Sequence, residues 1–258
     1  MRLRTKILIT LGVVLLLVCV CLAGFGYLLF HRTPGQYFDS NGARIYYTVE
    51  GAGAPIVLVH GVAATSDLNW RRPGIIRSLA KNFQVIAFDL RGHGLSDKPT
   101  DPEQYGLRMV EDIVRLMDHL EITQAHVAGY SLGGFLALNA ATLYPDRFAS
   151  LAVCAAGWMD PEQPMPIPNP YRPPVRTDTA HMAAAVLPGM AASKTWFHRI
   201  RNRVGDHILP DDVKKALKKK YEELAVTKSD LLLLDMPVLC IIGDKDGFLY
   251  LARDLVAQ

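Results

Sequence analysis

Residues 125–128 read as a β-strand and 132–143 as a helix, and the pentapeptide Gly129-Tyr130-Ser131-Leu132-Gly133 covers the junction between them. No other feature constrains the fold of this chain as much. A backbone that passes from strand to helix with no intervening loop must turn sharply, and the turn is crowded. The residues two before and two after the serine must therefore be small. Here both are glycine, and Gly134 gives further room at the helix start. Such a turn lifts the Ser131 hydroxyl clear of the sheet. It also sets it at a helix N-terminus, where backbone N–H groups such as that of Leu132 face any negative charge that develops. Ser131 is the candidate nucleophile.

Strands and helices alternate around this junction. Residues 36–39 and 43–49 read as strands joined by Ser40-Asn41-Gly42, and Asn-Gly is the strongest short hairpin signal. Residues 55–59 and 83–88 are continuous apolar runs, as in strands buried on both faces. Val110, Ile113, Val114, Met117 and Leu120 recur at helical spacing. Residues 151–154 and 238–242 are further strands. The alternation predicts an α/β fold with a doubly wound, mostly parallel sheet. A chain of 258 residues, half of them hydrophobic, favours one large domain at 36–258. Its regular pattern breaks between about 158 and 234. Seven prolines between Pro161 and Pro174 exclude helix and central strand there, and helical segments at 179–190 and 211–224 follow. An insertion of this kind between two sheet strands reads as a cap over the site.

The domain is preceded by a basic segment at 1–6, an apolar run at 7–30 and a short linker at 31–35. The run carries no charge and exceeds the roughly 20 apolar residues that span a bilayer. A secretory signal usually has a shorter apolar stretch, so an uncleaved transmembrane helix is the favoured reading. Arg2, Arg4 and Lys6 precede it, which places the N-terminus in the cytoplasm and the domain outside by the positive-inside rule. The formal charge of +3 does not suggest a nucleic-acid partner. Lys214, Lys215, Lys218, Lys219 and Lys220 read as the solvated face of a helix, with contact to anionic headgroups as the sharper alternative. The four cysteines show no metal-ligand spacing and read as buried thiols.

Three further motifs occur in order. His60-Gly61 closes the 55–59 strand. Asp89-Leu90-Arg91-Gly92-His93-Gly94-Leu95-Ser96-Asp97 follows the 83–88 strand, and Gly243-Asp244-Lys245-Asp246 follows the 238–242 strand. With the serine turn, these motifs resemble the α/β-hydrolase superfamily in its serine-nucleophile branch. The resemblance extends over nearly all of the chain outside the apolar run. It implies Ser131 as nucleophile, Gly129 and Gly133 as the small residues of its elbow, and the backbone N–H groups of Val62 and Leu132 as the oxyanion hole. It also implies Asp246 as the acid of a catalytic triad, with Asp244 capping the loop and Asp160 as the weaker candidate acid. His60 and His93 lie in motifs that shape loops, which makes a catalytic role for either a minor expectation.

The triad order in this fold is serine, acid, histidine. Residues 247–258 contain no histidine. The expectation from sequence is a chain cut short before its final strand, helix and histidine. As it stands it would be nearly inactive, because a serine hydroxyl without its base is a poor nucleophile. The leading expectation for the parent architecture is a membrane-anchored hydrolase of an ester or related acyl bond, acting on an apolar acyl substrate. Trp158, Met182, Val186, Leu187, Met190 and Trp196 of the cap lean towards that substrate. The alternative is a membrane-tethered binding protein of the same fold without catalysis. No metal or organic cofactor is implied.

Overall fold

The computed structural model describes residues 3–30, 33–158 and 208–243. The chain divides into two units, Met1–Pro34 and Gly35–Gln258, each described by itself.

The first unit is one helix, α1 (Leu3–Phe30), which begins before the apolar run expected at 7–30. Leucine, valine and isoleucine fill it without a proline, so nothing interrupts its backbone hydrogen bonds. Of its side chains only those within 10–26 are described, and Val13, Leu15, Leu17, Val20 and Leu22 are exposed. Among the described residues no helix is long and apolar enough to cross a membrane. The structure therefore supports the expected helix and does not support its spanning a membrane.

The second unit is built on a seven-stranded sheet. Its strands are β1 (Gln36–Ser40), β2 (Ala43–Glu50), β3 (Ala54–Val59), β4 (Phe83–Phe88), β5 (Ala125–Tyr130), β6 (Phe148–Cys154) and β7 (Val238–Ile241). They run in the order β1-β2-β4-β3-β5-β6-β7. β1–β2 and β2–β4 are antiparallel, and every other pairing is parallel. The Asn41-Gly42 hairpin forms as expected. Ser40 pairs with Ala43, and the two residues between them sit at φ 56° and 87°, the left-handed region that a two-residue turn of this hand requires.

Alternate residues of the central strands face opposite layers. Val57, Val59, Ile86 and Phe88 join the larger core cluster with α3 (Leu107–His119) and α4 (Leu132–Leu143). The α3 face carrying Met109, Val110, Ile113, Leu116 and Met117 is fully buried. Leu58, Val85 and Ala87 face the other way and pack on Trp70 and Ile76. Those two belong to a π-helical turn, Asp67–Arg71, and to α2 (Ile75–Leu79), elements of five residues each. Helical periodicity cannot be read over five residues, and the sequence gives no signal for either.

The sequence marks some strands shorter than the structure makes them, while β4 has the expected bounds and β7 ends one residue early. β5 runs two residues further, to Tyr130, and β6 starts at Phe148. The expected helix at 211–224 is divided into α5 (Asp211–Lys218) and a 3-10 turn, Tyr221–Leu224. Lys220 marks the break. It pairs with Glu103 and Glu223 at 2.9 and 2.7 Å, while Lys214 pairs with Asp211 and Lys215, Lys218 and Lys219 stay exposed. A final short helix, α6 (Lys228–Leu231), starts with a capping box between Thr227 and Asp230. Trp158 is buried after β6 and donates its indole N–H to Val226 O at 2.5 Å, tying the start of the expected cap to its end. The remainder of that cap, including Asp160, Met182, Val186, Leu187, Met190 and Trp196, lies outside the described residues. Of the four cysteines, Cys19 and Cys21 are exposed and Cys154 and Cys240 are half-buried; none is bonded to another. The expectation of buried thiols therefore fails for the first two, because α1 has no core of its own in which to bury them.

Candidate active site

Ser131 stands between β5 and α4 at φ 53°, ψ −120°. A non-glycine residue at positive φ is uncommon and holds only where its surroundings enforce it. Here the surroundings are tight. Ser131 N–H donates to Cys154 O at 2.8 Å, so the neighbouring strand fixes the turn. A Cβ on Gly129 would stand 2.1 Å from Gly133 O, and one on Gly133 would stand 2.3 Å from Val59 O. Both glycines are therefore sterically required, as the sequence predicts. Leu132 opens α4, where the first N–H groups have no acceptor within the helix. The Tyr130 ring is 41% exposed beside the serine and meets the Trp70 ring edge-on, centroids 6.5 Å apart.

The loop after β3 passes close to Ser131. A Cβ on Gly61 would stand 3.2 Å from the serine Cβ. The His60 ring lies under this loop with both nitrogens engaged. Leu90 N–H donates to Nε2 at 2.9 Å, so that nitrogen is an acceptor and the proton sits on Nδ1, which donates to Gly61 O at 2.7 Å. Gly61 C=O and Val62 N–H belong to one planar trans peptide and point in opposite directions. By holding the carbonyl, His60 orients the Val62 N–H, which makes no hydrogen bond among the described residues. Gly61 N–H donates to Asn69 Oδ1 at 2.8 Å. Further along, Asp89 accepts from Ser66 N–H and Oγ at 2.8 Å and from Leu95 N–H at 2.9 Å, joining the loop after β3 to the loop after β4.

Beneath these loops lies a fully buried ion pair. Arg91 donates to Asp112 through Nε at 3.1 Å and through a terminal nitrogen at 2.7 Å, and also reaches Ser40 O and Gln104. Ser40 Oγ donates to the same carboxylate. Burial pushes the Asp112 pKa up, and the Arg91 hydrogen bond and charge oppose that rise. His93 is fully buried, donates Nδ1–H to Arg91 O at 3.0 Å, and has no partner at Nε2 among the described residues. Burial foremost, then the neighbouring His60, pulls its pKa down to about 3. The His60 and His93 rings meet edge-on at 5.3 Å.

Ser131, Gly129, Gly133 and Leu132 thus share one strand-to-helix turn, and the loop carrying Gly61, the residue before Val62, lies against Ser131. His60 and His93 are committed to holding loops. Of the other described histidines, His119 contacts Tyr47 and Phe38, and His126, near the start of β5 and five residues before Ser131, contacts Ser150 and Phe83. Asp246 and its neighbour Asp244 lie outside the described residues. Asn69, Trp70 and the clamping role of Asp89 were not foreseen. An asparagine or tryptophan eight or nine residues past a glycine has no sequence signature, and only the π-helical turn brings them to the loop. Among the described residues no group of three or more histidine, cysteine, aspartate or glutamate side chains could hold a metal ion.

This geometry defines a class of protein, and comparison with known proteins agrees. Residues 54–179 match the sequence profile of the alpha/beta hydrolase fold. The chain has the α/β-hydrolase fold. It is 42% identical over 106 residues to the dihydrolipoyllysine-residue acetyltransferase component of the acetoin cleaving system of Pseudomonas putida, a match covering 40% of this chain and 27% of that one. It is 36% identical over 121 residues to 2-hydroxymuconate semialdehyde hydrolase of a Pseudomonas species, covering 46% and 42%. The chain thus spans less than half the length of these curated relatives. Among solved structures, the enol-lactonase of Burkholderia xenovorans is similar at a TM-score of 0.61 and 26% identity, over 86% of this chain and 87% of that one.

Proposed function

We propose that this chain is a serine hydrolase that cleaves an ester or related acyl bond through Ser131. The observation that carries the reading is the serine held at positive φ on a strand-to-helix turn, with the Gly61–Val62 loop beside it. Attack of Ser131 Oγ on an acyl carbon moves negative charge onto the carbonyl oxygen. The N–H groups of Val62 and Leu132 are the donors that would receive it, and removing one such donor typically costs 10²–10³-fold in rate. Collapse of the intermediate formed by that attack breaks the ester C–O bond and expels the alcohol, which leaves with the proton lost by the serine, and water then attacks the acyl-enzyme to release the carboxylic acid and restore the Ser131 hydroxyl. Asp246 is the acid that orients a histidine base in this scheme. Two names support an acyl or neighbouring bond as the target, since a lactonase opens a cyclic ester and the 2-hydroxymuconate semialdehyde enzyme is itself a hydrolase. An apolar acyl substrate is the finer reading, supported by the buried Trp158 at the start of the cap.

The proposal extends to a membrane anchor in α1, with the N-terminus in the cytoplasm and the hydrolase domain on the other side. Its support is the uncharged run 7–30 and the basic residues before it.

A fluorophosphonate reagent, which bonds covalently to an activated serine, tests the reading. It is applied to the chain and to its Ser131→Ala variant. Labelling that disappears in Ser131→Ala is the expected outcome. An inert serine would sink the hydrolase reading and leave a binding protein of the same fold.

A further inference from the structure

We infer that Asn69 is a positioning residue for the oxyanion-binding loop, acting through the Gly61 backbone rather than on the substrate. The inference rests on the serine-hydrolase reading of Ser131. His60 holds the carbonyl of Gly61, but that alone does not fix the direction of Val62 N–H. Gly61 has no side chain, so the peptide planes on either side of it can turn about its backbone with little steric resistance. The loop also carries strain that favours such movement, since Ala63, two residues on, sits at φ 53°. A second hold is needed on the peptide before Gly61. Asn69 Oδ1 supplies it by accepting Gly61 N–H at 2.8 Å. With both planes held, Val62 N–H is the donor of this pair that makes no hydrogen bond among the described residues.

Asn69 itself is fixed by the π-helical turn. Arg72 N–H reaches back five residues to Asp67 O at 2.9 Å, widening the turn. The start of the turn is pinned by Asn69 N–H to Thr65 O at 3.0 Å and Leu68 N–H to Thr65 Oγ1 at 3.2 Å. Trp70, the next residue, packs its ring on Tyr130 and its body on Leu58, Val85 and Ala87. The carboxamide is therefore presented to Gly61 by an element anchored on both sides.

The test compares Asn69→Leu, which has a similar shape and no acceptor, with Asn69→Asp, which keeps the acceptor. Asn69 is only half-buried, so both variants should fold. Hydrolysis of a p-nitrophenyl ester by the protein should show kcat about 10–100-fold lower in Asn69→Leu, with KM within about threefold, because a misplaced oxyanion donor weakens the transition state and leaves ground-state binding intact. Hydrogen exchange at the Gly61 amide should be slow in wild type and Asn69→Asp and at least tenfold faster in Asn69→Leu. An unchanged kcat in Asn69→Leu, or a loss divided equally between kcat and KM, would overturn the inference. If the wild type neither hydrolyses nor labels, the hydrolase reading fails by itself. Gly61 exchange then still decides the hold, and equal exchange in all three chains would overturn it.

Discussion

His93 shows how one residue's surroundings set its chemistry. The imidazole is fully enclosed, one nitrogen donates to a backbone carbonyl, and the other, an acceptor in this tautomer, meets no donor among the described residues. Burial therefore favours the neutral ring and pulls its pKa to about 3, against 6.5 for a free side chain. Between those values the unfolded chain takes up a proton that the folded chain refuses. The stability contributed by a neutral His93 is fully present above pH 6.5 and is lost as pH falls towards 3, by up to about 1.4 kcal/mol per pH unit. Thermal midpoints of the wild-type chain should accordingly fall as pH drops below 6.5. His93→Gln, less stable at neutral pH, should show a flatter decline over the same window. Parallel curves would show that His93 does not titrate on unfolding. Ser131, by contrast, was legible as a residue, because its glycine neighbours are a steric requirement written into the sequence.

Among elements, the buried Arg91–Asp112 pair does most to set the loop after β4 in place. It links that loop to α3 and, through Ser40, to the β1 strand. Removing one partner would leave an uncompensated charge in the core. Arg91→Leu should cost about 3–5 kcal/mol in a urea denaturation, whereas Arg91→Met combined with Asp112→Leu should recover much of that loss. A double variant no more stable than the single would show that the pair's other hydrogen bonds, to Gln104 and Ser40, matter more than its charge. The alternation of strands and helices was legible because apolar runs and helical spacing carry their own periods. The π-helical turn was not. Five residues are too short for a period, and the bond from Arg72 to Asp67 that defines the turn follows from the packing of Trp70 on the sheet.

At the scale of the whole chain, the division between Pro34 and Gly35 separates a largely apolar helix from a domain with its own core. If α1 is an anchor, deleting residues 1–34 should move the protein from the membrane fraction to the soluble one. The thermal midpoint of the domain should stay within a few degrees, since the core cluster draws only on residues from Phe38 onwards. A shortened chain that remains with the membranes would place the attachment elsewhere, with exposed Lys215, Lys218 and Lys219 as the next surface to neutralise.

The sequence by itself determined the parallel-sheet architecture, the hairpin at Asn41-Gly42 and the nucleophile turn, because each depends on local sterics or on a short-range period. Tertiary structure alone decided how the loops beside the serine are held to each other. Leu90 N–H is held by His60, and Ser66 is held by Asp89. Each of those contacts joins segments that meet only once the strands are aligned. No local preference encodes them, and the geometry of the site rests on them.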